Sequence, residues 1–132
     1  LDVDDARARV RRKLRLRPEV VTCSAVTGRN VAGLLRKAIA LADLFLRRLG
    51  EGDLPADLEI VPLREGGLRG NQVCLRHPRA PRLAHELFCR GVVVDSVDPD
   101  VLRFCFSPSW LRYGDAWEAA ETLRGVLAEL DV

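Results

Sequence analysis

The chain has 132 residues, 48% of them hydrophobic and 30% charged, a size and composition that suit a folded domain and exclude a disordered one. Its 21 basic and 19 acidic side chains leave a formal net charge of only +2, so nothing in the balance argues for a nucleic-acid partner. No apolar run reaches the roughly 20 residues that cross a bilayer.

Residues 4–17, DDARARVRRKLRLR, place acids ahead of arginines, which complements a helix dipole, and Pro18 ends the helix. EVVTCSA at 19–25 predicts a short strand and TGRN at 27–30 a turn. From Asn30 a helix carries Val31, Leu34, Leu35, Ala38, Ala42, Phe45 and Leu49 at three- and four-residue steps, an apolar stripe that ends at Gly50. EGDLPAD is a loop, and LEIVPL at 58–63 is a short strand whose Pro62 marks an edge or a strand end. After the turn REGGLRG, NQVCLRH at 71–77 is a second strand. PRAPRLAHELFCRG at 78–91 enters a helix through prolines and turns Leu83, Leu87 and Phe88 inward. VVVDSV and VLRFCF are strands joined tightly through DPD, and GDAWEAAETLRGVLAEL is a helix capped near Asp115 with Trp117, Ala120, Leu123, Leu127 and Leu130 on one side.

From residue 50 onward the order is strand, strand, helix, strand, strand, helix. This predicts an α+β fold: a small, largely antiparallel sheet with helices packed on one face, the other face left for a partner or a larger domain.

An arginine stands in the middle of the apolar run VLRFCF. Strand alternation puts Leu102, Phe104 and Phe106 on one face and Val101, Arg103 and Cys105 on the other, so Arg103 is half sheltered rather than buried. Such a guanidinium pairs two-pronged with a carboxylate in a way lysine cannot. The alternative reading is an exposed arginine on the wet face of the sheet.

Several stretches together resemble the C-terminal part of kynureninases: ALADLFLRRL at 40–49, LEIVPLREGGLRGNQVCLRH at 58–77, LFCRGVVVDSVDPDVLRFCFSP at 87–108 and YGDAWEAAETLRGVL at 113–127. The resemblance runs in unbroken order over residues 31–130, with Arg-Gly-x-Gln at 69–72, Arg-Gly-Val-x-x-Asp at 90–95 and Pro-Asp-x-x-Arg at 99–103. It implies the small domain of a fold-type I pyridoxal-phosphate enzyme, hydrolysing L-kynurenine to anthranilate and L-alanine. By that resemblance Arg103 is the substrate-binding residue, gripping the α-carboxylate of the kynurenine substrate. The resemblance also implies a missing large domain, a homodimer, and pyridoxal 5'-phosphate as the cofactor of the complete enzyme. No cofactor is expected for this chain alone, because neither of its two lysines, Lys13 and Lys37, suits a Schiff base. Where the family has a proline-hydrophobic-tyrosine stretch, this chain reads SPSWLRYGD, so Trp110 replaces a tyrosine and a contact made through that hydroxyl is not carried over.

Residues 1–40 resemble the tail of a bacterial Ras-like GTPase domain, through Ser-Ala-x-Thr-Gly in VVTCSAVTGRNVAGLLRKAI, although no phosphate-binding glycine loop is present. Two domains are therefore expected: 1–30, an N-terminal helix and strand-turn, and 31–132, the kynureninase-like small domain. A non-enzymatic α+β interaction module, or a GTPase remnant, is the alternative function.

Four cysteines, Cys23, Cys74, Cys89 and Cys105, form no Cys-x-x-Cys pair and with His77 and His85 complete no zinc pattern, so no metal is expected. They read as reduced, mostly buried thiols of a soluble cytoplasmic protein, Cys74 and Cys105 as small core fillers. His85 reads as a surface histidine, and His77 as a strand-end residue that faces a domain interface in one reading. The chain contains no methionine and begins at Leu1, which suggests a piece of something longer. An uncovered sheet face on such a piece would favour dimerisation or aggregation.

Overall fold

A computed structural model describes residue 8 and residues 23–61, 70–97 and 99–130. The helix expected at 4–17, apart from Ala8, and residues 19–22 of the first strand lie outside the described residues. The chain falls into two compact units, residues 1–34 and 35–132. In the first, residues 23–25 enter a tight turn instead of the expected strand. Ser24 Oγ accepts the Thr27 N–H at 3.2 Å, the local side-chain bond that serine offers the backbone in place of a ladder. Gly28 and Asn30 take positive φ of 68° and 59°, residue types that tolerate the left-handed region, and the chain then enters helix α1, Val31–Leu49.

In the second unit α1 buries Ala38, Leu41, Ala42, Phe45 and Leu49. The stripe differs from the expected one at two places. Leu41 is fully buried, and Leu35, N-terminal to the covered stretch, is 60% exposed.

Four strands follow: β1 (Glu59–Val61), β2 (Gln72–Arg76), β3 (Asp95–Val97) and β4 (Val101–Cys105). They form one antiparallel sheet in the order β1-β2-β4-β3. Helices α2 (Ala80–Cys89) and α3 (Tyr113–Leu130) complete the fold. The architecture is the α+β arrangement expected from the element order.

The core is a single cluster between the sheet and the helices. Val73 and Leu75 of β2, Leu102 and Phe104 of β4 and the following Phe106 meet Leu41, Phe45, Leu83, Leu87, Leu123 and Leu127. Phe45 holds the centre, its ring 4.7 Å from that of Phe104 and 5.2 Å from that of Phe106, tilted in both pairs. Burial alternates strictly along β4, so the sheet has one covered and one open face.

Two aromatic expectations fail for a shared reason. In α2 the pair Leu83 and Leu87, four apart, faces inward, and the next residue is rotated by about 100°, which leaves Phe88 64% exposed. In α3 the buried row is Ala116, Ala120, Leu123, Val126 and Leu127. Trp117 lies one step round the helix, 41% exposed, with the Arg48 guanidinium 4.4 Å from its ring centroid.

Helix α2 begins with proline in its first turn, where a missing N–H costs nothing. It ends where Gly91, at φ 84°, lets the Gly91 and Val92 N–H groups return to Phe88 O and Leu87 O. Arg79, at the N-cap of α2, reaches Leu130 O at 2.8 Å and so ties the start of one helix to the end of the other.

Candidate functional site

The open face is built from pairs in register. Cys74 of β2 lies opposite Arg103 of β4, and Arg103 lies opposite Asp95 of β3. Gln72 faces Cys105 across the same strands, and Arg76 faces Val101, with Val97 beyond. Residues opposite each other in a ladder share a face. A thiol, a guanidinium and a carboxylate therefore stand in one lateral row, flanked by a second thiol and by valines.

Arg103 occupies the middle of this face on a central strand, its side chain 38% exposed. Its Nη2 donates to Asp95 Oδ2 at 2.8 Å and its Nε donates to the same oxygen at 3.3 Å. The hydrogen bonds that Arg103 donates to Asp95 raise its pKa above the ordinary value, against a smaller opposing effect of desolvation. The cation is thus permanent, sheltered by the sheet behind it and fixed along one edge of its plane. Among the described residues Asp95 is its hydrogen-bonding partner.

The cysteines are placed differently from expectation. All four are free, with Cys23, Cys89 and Cys105 exposed and Cys74 half-buried. Cys74 and Cys105 are not core fillers, because strand alternation gives them the outward parity of Arg103 and neither is buried. Partial burial nevertheless pushes the Cys105 thiol pKa up, helped by Asp95 and Cys74 and opposed by Arg103.

His77 is fully buried. Its Nδ1 accepts the Arg79 N–H at 3.0 Å, and its Nε2 is 3.2 Å from Asp57 Oδ2 but outside hydrogen-bonding alignment. Its own N–H donates to Asp100 O at 2.8 Å. It joins the loop before β1, the β3–β4 turn and the start of α2, a structural role. His85 is exposed on α2 beside Cys89, its Nε2 3.7 Å from the thiol, in keeping with a surface histidine.

Other features lie apart from Arg103. Lys37 is carried by α1 in the helical layer, and Lys13 lies outside the described residues. Trp110 is 75% exposed in the turn between β4 and α3. A cleft of about 160 Å³ between β4 and α3 is lined by Val92, Phe104, Phe106, Leu111, Asp115 and Ala119. It is mainly apolar, and the Asp115 carboxylate in it is held by the Arg112 guanidinium and N–H, which lower its pKa. The cleft presents a carboxylate, and the described lysine is carried by α1.

Among the described residues no group of three or more metal-ligating side chains converges, and no helix is long and apolar enough to cross a membrane. Sequence reasoning found Arg103 but missed Asp95. The signal was there, since Val97 at the end of β3 pairs with Val101 at the start of β4, and counting two outward places Asp95 against Arg103.

Comparison with known proteins bears on this arrangement. The family model described as the kynureninase C-terminal domain matches residues 34–123. The chain is 37% identical over 98 residues to kynureninases of Burkholderia mallei and Burkholderia pseudomallei, and 33% identical over 98 residues to the kynureninase of Pseudomonas fluorescens. In each case the match covers 74% of this chain and 24% of the relative, so the chain spans about a quarter of the length of the proteins it matches. The comparisons do not favour the interaction-module or GTPase-remnant alternative.

Proposed function

Because the chain belongs to the kynureninase C-terminal domain family, we propose that it supplies the substrate-anchoring part of a kynureninase-like hydrolase. The reaction is cleavage of L-kynurenine with water to anthranilate and L-alanine. The observation that carries the reading is the placement of Arg103, a permanent cation at the centre of an otherwise uncovered sheet face.

In this role Arg103 receives the α-carboxylate of the amino acid. The guanidinium is planar and its orientation is set by Asp95, so a carboxylate gripped by two donors is fixed in rotation as well as position. Rotation about the gripped end determines which bond of the substrate is presented for reaction. Val97 and Val101, paired one step along the same face, give the approach an apolar flank.

Pyridoxal 5'-phosphate, when bound in the complete enzyme, supplies the electron sink for the bond cleavage. Its phosphate cradle and the lysine that holds it belong to polypeptide outside this chain. That polypeptide closes over the open face, and the complete enzyme works as a cytoplasmic homodimer. On this reading residues 1–30 are a separate N-terminal segment, not part of the substrate site.

The test is a graft. The matching segment of the Pseudomonas fluorescens kynureninase is replaced by residues 34–123 of this chain, and turnover of L-kynurenine is measured with Arg103 intact and as Arg103→Ala. An active chimera that loses substrate affinity on Arg103→Ala, with its cofactor absorbance unchanged, supports the reading. Unaltered kinetics in the variant refute it.

A further inference from the structure

We propose that Asp95 is a positioning residue that occupies the Nε–Nη2 edge of Arg103 and directs an incoming carboxylate to the Nη1–Nη2 edge. The functional meaning rests on the reading of Arg103 as the carboxylate anchor. The geometry that carries it is local and independent of that reading.

A guanidinium offers two edges at which a pair of N–H groups lie parallel, Nε with Nη2 and Nη1 with Nη2. Both bonds from Arg103 to Asp95 use the first edge, and both end on a single oxygen, Oδ2. One carboxylate oxygen thus caps that edge completely. Nη2 carries a second proton pointing the other way, and with Nη1 it forms the remaining edge. Two acids on one guanidinium repel less when they take different edges, so the second ligand is steered and not merely attracted.

The register makes the clamp rigid at its base. Asp95 and Arg103 are directly paired across the β3–β4 ladder, two residues out from the turn, so neither Cα can drift without breaking the strand pairing. β3 is only three residues long, and Asp95 is its first. A strand this short adds little to the core, while placing its leading carboxylate beside the one arginine of β4.

The consequence for specificity is directional. A ligand carboxylate bound at the Nη1–Nη2 edge lies along the side-chain axis of Arg103, away from the sheet. Without Asp95 the side edge becomes available, and a ligand can bind flat against the strands in a second orientation.

Nitrogen-resolved NMR of the full chain, with arginine labelled and L-alanine as the carboxylate probe, tests this. In the unsubstituted chain, L-alanine shifts the Arg103 Nη signals and leaves Nε in place. In Asp95→Asn, Nε–H exchange with water at Arg103 accelerates about two- to fivefold, as for loss of an exposed ion pair, and L-alanine now shifts Nε too. Asp95→Ala carries the same prediction, and substitution of a side chain 59% exposed leaves the core intact. Exchange at Nε unchanged in a folded variant, or an Nε shift already present in the unsubstituted chain, overturns the positioning role. If no Arg103 signal moves with L-alanine, the directing role is overturned, while the anchor reading, whose pocket other polypeptide completes, stands or falls separately by the graft.

Discussion

The two faces of β4 are made of neighbouring residues yet obey different constraints. Leu102, Phe104 and the adjoining Phe106 are at most 3% exposed and locked among the helices, while Val101, Arg103 and Cys105 look out from the sheet. The covered face is held by packing, in which every methylene is felt. The open face is held by a few directed bonds that leave its side chains available. Stability and recognition are thereby separated within one strand, one residue apart.

The largest effect expected is on the covered face. Phe104→Ala removes a ring packed at a tilt against Phe45 and should cost about 3–5 kcal/mol, read as a shift in the urea midpoint; a cost under about 1 kcal/mol would mean the covered face is not the core. On the open face, Arg103→Ala should leave that midpoint nearly unmoved, while in the grafted enzyme it raises KM for L-kynurenine about thirtyfold or more. A matched loss of stability would collapse the contrast between the faces.

A backbone position away from both faces sets an intermediate scale. Gly52 has φ 137°, and a Cβ there would lie 2.5 Å from Nη2 of Arg124. That arginine donates to the Arg48 and Glu51 carbonyls. Gly52→Ala should therefore destabilise by about 1–2 kcal/mol through strain and displacement of Arg124, measured by thermal melting.

Smaller still is a pH effect at the start of α3. Arg112 holds Asp115 below the usual carboxylate range, so this pair's stabilisation is fully present above the ordinary carboxylate pKa. It is lost as pH falls through the lowered folded value. Melts of the chain and of Asp115→Asn should differ at pH 6 and converge towards pH 2; a gap that persists in acid would contradict this. Least of all, Cys105→Ala should change stability by under about 0.5 kcal/mol, the counterpart to Phe104→Ala one residue away.

Much of this division was legible in the sequence, because a period of two is strict over a five-residue strand. The parity of Arg103 followed from counting. The same parity applied to Cys105 would have placed that thiol outside, but cysteine's usual burial overrode the pattern. Helix faces were read less well: Phe88 and Trp117 are large and apolar, and size pulled them into stripes that the 100° step of the helix denies them. The junction that His77 makes was not legible, because the residues around it, Asp57, Arg79 and Asp100, come from three separate connections. Such a buried junction has no periodicity of its own, and only the folded chain brings it together.

The order β1-β2-β4-β3 sets the Arg103 strand between two neighbours, and its residue parity couples heredity to shape. Loss or gain of a single codon inside that strand would not trim the domain gradually. It would turn the guanidinium towards the hydrocarbon layer and the phenylalanines out towards water, so a change of length there is felt on both faces at once.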